Sequence, residues 1–377
     1  MPSTDLDLAR AFAGLTGPRI DRTRKHELVD IVVVALCAVV CGADSWLEVE
    51  QFGHSKRDWL GRFLRLPNGI PSHDTFGRVF VALDPAEFQR CFGAWMAAAC
   101  RATGLAPIAI DGKSVQAADR NTFSGKLHLV SAWAAENRLI LAQRAVPDLG
   151  NEQAAVAELL KVLDLAGAVV TIDAGGCYAE FAQRVRGEGG EYVLALKDNQ
   201  PLLRQAVVDR FQAVIEAGPP AAGHDSHEER DTGHGREETR TCEVLRGVTG
   251  LPGQAAWPGL CTLAVVCRLC RAKGKPETAE VRYFVSSLDA DARAMLALVR
   301  GHWGIENGLH WVLDVAFRED ANATRAGHAG ENLGWLRRVA LSLLKRTPGK
   351  GSIKGKRLQA GWDEAFLTTV LGQLTDI

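Results

Sequence analysis

The feature that most constrains the fold is the alternation of short apolar runs and amphipathic segments between residues 107 and 217. The predicted strands cover 107–111, 127–135, 139–146, 168–173 and 192–197. The predicted helices cover 151–163, 178–186 and 200–217. The turn sequence Glu136-Asn137-Arg138 separates the second and third strands, which predicts a hairpin. An α/β sheet protein is therefore expected, because helices that alternate with strands pack against a sheet.

The element order also predicts which strands are neighbours. Three strands, then helix, strand, helix, strand and helix, is the order of a ribonuclease-H-like fold. In that fold the first and fourth strands lie side by side. Residues 1–103 read as a helical domain in front of this core. Strand-like runs near 261–269 and 279–286 follow a polar stretch and read as a strand-rich insertion. A helical pattern returns at Asp291.

Three acidic residues are the candidate catalytic groups. Asp111 and Asp173 each end an apolar strand, and Glu306 lies in the late helix. A carboxylate at the tip of a buried strand is costly unless a cation offsets its charge. Two strand-tip aspartates and a helix glutamate form an all-oxygen set that suits Mg²⁺ and attack on a phosphodiester. Each residue alone also fits an ordinary turn or a surface position, so the prediction rests on their joint placement.

Other polar residues near these acids are candidates for phosphate contact. His302 and His310 lie one helical turn before and after Glu306, where they contact phosphate, carry a proton, or simply pack or form hydrogen bonds. Lys113 and Lys197 lie at strand ends, where they hold flanking phosphates or extend into solvent over apolar surface.

Charge and composition narrow the class of protein. The chain has 377 residues and a net charge of −1, but the stretch 333–358 holds eight basic residues and no acidic one. Such a run, with Arg337 and Arg338, predicts a phosphate-binding surface or an ordinary solvated one. The longest apolar run, 31–41, is too short to span a bilayer, and no signal peptide is visible. A soluble, cytoplasmic protein with reduced cysteines is expected.

Several motifs together carry a resemblance to a known family. They are Asp111-Gly112-Lys113, Thr171-Ile172-Asp173-Ala174, the run from Tyr192 to Gln200, His302-Trp303-Gly304-Ile305-Glu306-Asn307, and Phe317-Arg318-Glu319-Asp320. In this order they resemble bacterial insertion-sequence transposases of the DDE class, of the H-repeat-associated type. The run from Gly69 to Arg78 is similar to the helical domain associated with that family. Nearly the whole chain is covered by the resemblance.

The resemblance implies a function and a site. Asp111, Asp173 and Glu306 take the roles of the metal-binding triad, with two Mg²⁺ ions and Mn²⁺ as a substitute. Double-stranded DNA, both element ends and target, is the implied partner, and a homodimer is implied in the DNA complex. The implied DNA-contacting residues are Lys113, Lys197, Arg236, Arg240, His302, Asn307, His310, Arg337 and Arg338.

The expected organisation has five segments. They are a helical DNA-end-binding domain (1–103), the first part of the core (104–222), the insertion (223–288), the second part of the core (289–346) and a basic C-terminal segment (347–377). Two alternatives stay open. One is a related ribonuclease-H-like nuclease that cuts DNA without joining it. The other is an inactive or domesticated transposase that acts as a DNA-binding protein.

Overall fold

The computed structural model describes residues 12, 14–17, 25–93, 107–115, 127–134, 136–146, 152–173, 176–218, 223–233, 235–324 and 326–373. The chain divides into two compact units. Unit 1 comprises 1–104, 112–151 and 306–377, and unit 2 comprises 105–111 and 152–305.

The elements follow one another in an order close to the predicted one. The helices are α1 (Leu28–Val40), α2 (Trp46–Ser55), α3 (Arg57–Leu60), α4 (His73–Ala82), α5 (Glu152–Val162), α6 (Ala179–Gly187), α7 (Pro201–Ala217), α8 (Ala292–Ile305), α9 (Trp311–Phe317), α10 (Ala329–Arg346), α11 (Ile353–Trp362) and α12 (Glu364–Gly372). The strands are β1 (Ile108–Ser114), β2 (His128–Ala134), β3 (Leu139–Val146), β4 (Val169–Ile172), β5 (Glu191–Leu196), β6 (His224–Gly233), β7 (Arg236–Arg246), β8 (Thr262–Ala272) and β9 (Thr278–Ser286).

The strands form a mixed sheet in the order β3-β2-β1-β4-β5-β9-β8-β7-β6. In unit 2, β1 pairs with β4 in parallel, and β4 pairs with β5 in parallel. The predicted contact between the first and fourth strands is therefore confirmed. Both strands are almost wholly buried in their apolar runs, which is typical of parallel strands covered on both faces.

Strands β6 to β9 form the segment that the sequence pattern predicted as a strand-rich insertion. Strand β9 pairs antiparallel with β5, so these strands extend the same sheet. Helix α8 packs its apolar face, including Met295 and Leu296, over this extension. The polar stretch from 223 was not predicted as a strand, yet β6 and β7 pair from His224 to Gly233. Strand β6 contains no apolar residue and forms the edge of the sheet. Its charged and polar side chains suit an edge strand, which is not buried on both faces.

Unit 1 is built on two buried helices and a hairpin. Helix α1 is buried from Ile31 to Val40, as its uniformly apolar sequence requires. Strands β2 and β3 form the predicted antiparallel hairpin, with Ser131 opposite Gln143. Helix α10 contacts α1, α4 and β3. No helix in the described part of the chain is long and apolar enough to cross a membrane.

Much of the basic run at 333–358 lies inside unit 1. Arg337 and Arg338 are buried in α10, at 3% and 0% exposure. In α11, Lys356 donates to the carbonyl oxygens of Leu344 and Thr347. DNA contact by Arg337 and Arg338 stays a prediction, although unit 1 encloses both guanidinium groups. Among the basic residues of the second half of the run, Lys350 and Lys354 are exposed.

Arg357 shows why these cations are structural. Its guanidinium group donates to the carbonyl oxygens of Val39 and Ala43 and lies 3.3 Å from an Asp44 carboxylate oxygen. It also donates to the Ala316 carbonyl oxygen. These partners cap the C-terminal ends of α1 and α9, where the unpaired carbonyl groups of a helix attract a cation.

We predict that Arg357→Met lowers the free energy of unfolding by about 2 to 4 kcal/mol, because it leaves a half-buried carboxylate and several buried carbonyl groups without their donor. Urea unfolding followed by circular dichroism measures this loss. Lys354→Met is the matched control on the same helix, since Lys354 is exposed. Equal unfolding midpoints for both variants would contradict the assignment.

Candidate active site

Two of the predicted carboxylates lie at the same level of the unit 2 sheet. The last paired residues of β1 and β4 are Ile110 and Ile172, which are directly opposite one another. Asp111 follows Ile110 within β1, after the last residue of β1 that pairs with β4, and Asp173 directly follows the last residue of β4. Each aspartate is partly exposed. Because the strands are parallel and in register, both carboxylates emerge at the carboxyl end of the same strand pair.

The strand that carries Asp173 is fixed by a histidine of α8. Thr171, two residues before Asp173, is buried, and its Oγ1 lies 3.0 Å from Nδ1 of His302. The Thr171 hydroxyl also lies 3.5 Å from the Ile108 carbonyl oxygen of β1. His302 therefore contacts the strand beside the candidate site. This contact matches the hydrogen-bonding role that the sequence left open, while DNA contact by His302 stays a prediction.

An arginine that the sequence did not reveal lies beside Asp173. Nη1 of Arg282, in β9, is 3.9 Å from Oδ1 of Asp173, and Nη2 is 2.6 Å from Oε1 of Glu280. The guanidinium carbon lies 4.0 Å from the ring centroid of Trp303, a cation–π contact. In the sequence, the strand-like run at 279–286 predicted β9. That pattern does not show which side chains of the strand lie beside Asp173.

A cleft of about 240 Å³ opens next to this arginine in unit 2. Its lining residues include Asp173, Lys197, Arg204, Arg282 and Tyr283. Lys197 is exposed at the end of β5, as the sequence predicted. Three cationic side chains and three carboxylates, Asp173, Asp198 and Glu280, line the cleft together. Arg282 is already paired with Glu280, so Lys197 and Arg204 are the cations of the lining with most freedom to contact a phosphate.

Glu306 begins a π-helical turn between α8 and α9. The turn spans Glu306 to His310, and its wider spacing puts His310 inside unit 1 while Glu306 is 57% exposed. Nδ1 of His310 is 3.6 Å from Oε2 of Glu306. Asn307 is exposed on the same turn. Such π turns recur at functional sites, because the extra residue redirects a side chain.

Packing against an aromatic ring of unit 1 supports this turn. Gly308 faces the Trp133 ring of β2, and Lys345 of α10 lies 4.6 Å from that ring's centroid. Burial lowers the pKa of Lys345 to about 8, and the nearby charge of Arg138 adds to this effect. Lys345, another member of the basic run, is therefore part of the support for the Glu306 turn.

Lys113 has carboxylate partners within unit 1. Its side chain is only 9% exposed, and its Nζ contacts Asp314 and lies 3.3 Å from both Glu319 and Asp320. Three carboxylates thus surround this ammonium group. Phosphate contact by Lys113 stays a prediction, and it would require the lysine to exchange one of these partners for a phosphate.

The predicted arginines of β7 also have carboxylate partners. Arg236 is 54% exposed, and its Nε lies 3.2 Å from Glu238. Arg240 is mostly buried and lies 2.6 Å from Asp231, with a further contact to Glu238. Of the pair, Arg236 has the more accessible side chain for contact with DNA, which stays a prediction.

Comparison with known proteins identifies the family. A family model described as "Transposase DDE domain" matches residues 103–343, and one described as "DDE_Tnp_1-associated" matches residues 9–96. The chain belongs to the DDE transposase family. Members of this family generally use divalent metal ions, in keeping with the carboxylates described above.

Two relatives match more than nine tenths of the chain. "Putative transposase YncI" of Escherichia coli O157:H7 is 36% identical, over 94% of this chain and 91% of the relative. "H repeat-associated putative transposase YhhI" of Escherichia coli K12 is 35% identical, over 92% of this chain and 93% of the relative. Among solved structures, the piggyBac transposase in a synaptic complex with hairpin DNA aligns with a TM-score of 0.42 and 12% identity, over 100% of this chain and 80% of that one.

We predict an acid-dependent contribution to stability from Glu319, a fully buried carboxylate. Burial alone would raise its pKa, but Arg338 and Lys113 outweigh burial and lower the pKa to about 2. A lowered pKa stabilises the folded state above the unfolded value of about 4.5, and that stabilisation is lost as the pH falls towards 2.

The unfolding free energy of wild type should therefore exceed that of Glu319→Gln most at neutral pH, and the gap should shrink between pH 4.5 and pH 2. Urea titrations across this range measure it. Glu158→Gln, which removes an exposed carboxylate, is the control and should show no such trend. A pH-independent gap for Glu319→Gln would refute the electrostatic assignment.

Proposed function

We propose that this chain is a DNA transposase that cuts and joins phosphodiester bonds at the ends of an insertion sequence. The main support for the proposal is the position of two aspartates on neighbouring parallel strands. Asp111 and Asp173 directly follow Ile110 and Ile172, which pair with one another. Membership of the DDE transposase family supports the same reaction.

The strand order supports a ribonuclease-H-like assignment of the core. The sheet contains the order β3-β2-β1-β4-β5, with β1, β4 and β5 mutually parallel. This is the neighbour relation predicted from the sequence. Strands β6 to β9 are then an addition on the β5 side that enlarges the sheet beyond the minimal fold.

The residues present fit a magnesium site. Asp111, Asp173 and Glu306 are all partly or largely exposed carboxylates, and oxygen donors are those that Mg²⁺ prefers. We propose that these three residues hold two ions and that Mn²⁺ substitutes. When bound, such ions activate the attacking hydroxyl and stabilise the leaving oxygen of the phosphodiester.

The chain's own side chains orient the substrate and the carboxylates. His302 holds β4 through Thr171 and so limits the movement of Asp173. Arg282 and Lys197 provide cations on the cleft wall beside Asp173 and are proposed to receive the phosphates that flank the scissile bond. His310 contacts Glu306 and restricts its orientation.

The proposed partner is double-stranded DNA, both the element ends and the target. We propose that residues 9–96, which match the family-associated domain, bind the element ends, and that two copies assemble on DNA. Backbone contacts supply most of the affinity in such complexes, whereas the carboxylates serve the chemical step.

We predict that Asp173→Asn lowers the rate of DNA strand cleavage by about a thousandfold, because a lost ligand removes several kcal/mol of transition-state stabilisation. DNA binding should change by less than about threefold, since phosphate contacts set the affinity. The assay combines wild-type or variant protein, Mg²⁺ and DNA that carries the element's own ends, and a gel separates cut from joined products.

Asp198→Asn is the matched control, because Asp198 lies in the same cleft and is exposed. Wild-type cleavage by Asp173→Asn would refute the triad. Wild-type protein that cuts without joining would support a nuclease, and wild-type protein that binds without cutting would support a DNA-binding protein.

We predict a separate effect on DNA affinity from the cleft. Lys197→Met should weaken binding to all DNA sequences alike and reduce the slope of log affinity against log salt by about 0.9, the value for one phosphate contact. Fluorescence anisotropy at several salt concentrations measures the slope. Lys161→Met, which alters an exposed lysine paired with Glu158, should leave it unchanged. An unaltered slope for Lys197→Met would remove this lysine from the DNA-binding surface.

A further inference from the structure

Lys113 lies two residues after Asp111 in the same strand. Strand β1 continues past Asp111 to Ser114, beyond the predicted end at 111. Residues two apart in a strand point to the same face. The orientation of the Asp111 backbone is therefore tied to whatever holds Lys113.

Lys113 is held by a cluster of carboxylates in the Phe317-Arg318-Glu319-Asp320 motif and in α9. Its Nζ contacts Asp314 and lies 3.3 Å from Oε2 of Glu319 and 3.3 Å from Oδ1 of Asp320. Three carboxylates around one ammonium group leave the lysine few alternative positions. Lys113 therefore contacts the Phe317-Arg318-Glu319-Asp320 motif within unit 1, although the two lie about 200 positions apart in the sequence.

The cluster is anchored in turn by a buried arginine. Glu319 is 1% exposed, and its other oxygen, Oε1, accepts from Nη1 of Arg338 at 2.7 Å. Arg338 is 0% exposed and also donates to Oγ of Ser131 in β2 at 3.2 Å and to the Gly334 carbonyl oxygen at 3.1 Å. The chain of contacts from Lys113 therefore ends on β2 and on α10, two rigid elements of unit 1.

These contacts disfavour two simpler roles for Lys113, that of a surface charge that aids solubility and that of a phosphate-binding group. Lys113 and Arg338 bring two positive charges, against three negative charges on Asp314, Glu319 and Asp320. The side chains of Lys113, Glu319 and Arg338 are largely buried, and burial of a charged group is costly unless the group is paired. This charge network holds a residue two positions from the proposed metal ligand Asp111 in the same strand, so it restricts the backbone positions open to that ligand.

We propose that Lys113 is a positioning residue that holds the end of β1 so that the Asp111 carboxylate keeps one orientation towards bound metal. The inference rests on the proposed function, because it requires Asp111 to be a metal ligand. Glu319 and Arg338 act through Lys113.

The test measures Mn²⁺ binding to the full-length protein in the absence of DNA, by electron paramagnetic resonance of free Mn²⁺. Lys113→Met should weaken Mn²⁺ binding by about tenfold, the lower end of the range for residues that support a ligand. Lys56→Met is the matched control, because Lys56 also forms a half-buried ion pair in unit 1, with Glu364 at 3.2 Å. It should bind Mn²⁺ as wild type does.

The double variant Lys113→Met/Glu319→Gln guards against a folding defect, because it removes the buried carboxylate that the single variant leaves without its lysine. Its thermal unfolding is compared with that of wild type. A folded double variant with about tenfold weaker Mn²⁺ binding supports the positioning role. A folded double variant with wild-type Mn²⁺ affinity overturns it, whatever the single variant does.

Asp111→Asn separates failure of the inference from failure of the proposed function. If wild type binds Mn²⁺ and Asp111→Asn does not, the metal site stands and the Lys113 variants decide the positioning role alone. If Asp111→Asn binds Mn²⁺ as well as wild type does, Asp111 is not a ligand, and both the metal assignment and the role of Lys113 are overturned.

Discussion

The parallel, in-register pairing of β1 with β4 is the interaction on which the candidate site depends. It brings residues 62 positions apart in the sequence, Asp111 and Asp173, to the same end of one strand pair. A shift of one residue in this register would turn one aspartate to the opposite face. Thr171 helps to prevent such a shift, because its hydroxyl lies near the Ile108 carbonyl oxygen of β1 and near the His302 ring.

A second dependence runs through the buried charges of unit 1. Arg338, Arg357 and Lys113 are enclosed by protein, and each finds carboxylate or carbonyl partners from distant parts of the sequence. Breaking one such pair leaves the remaining charge buried without its partner, so the members depend on one another. The basic residues that looked like a DNA-binding surface therefore hold helices α9, α10 and α11 together.

Local patterns were enough to predict much of the fold. Apolar runs and turn residues located the β2–β3 hairpin, strands β4 and β5 and the three helices between 152 and 217 within one or two residues. The order of the elements then predicted the contact between the first and fourth strands, which the structure contains. Three features could not be read in this way. Strand β6 has no apolar residue that would mark it as a strand. The π turn at Glu306 interrupts a helical pattern that looks regular in the sequence. Arg338 is buried because it pairs with Glu319, and the sequence does not show that these two residues meet.

The most direct test of the proposed site is crystallography of the protein with Mn²⁺, using anomalous scattering at the manganese absorption edge. Anomalous scattering locates the ions without reference to any assumed ligand. We expect manganese peaks at coordination distance from carboxylate oxygens of Asp111, Asp173 and Glu306, at the carboxyl ends of β1 and β4. Manganese bound elsewhere, or peaks that touch neither Asp111 nor Asp173 in protein that cleaves DNA, would contradict the proposed catalytic site.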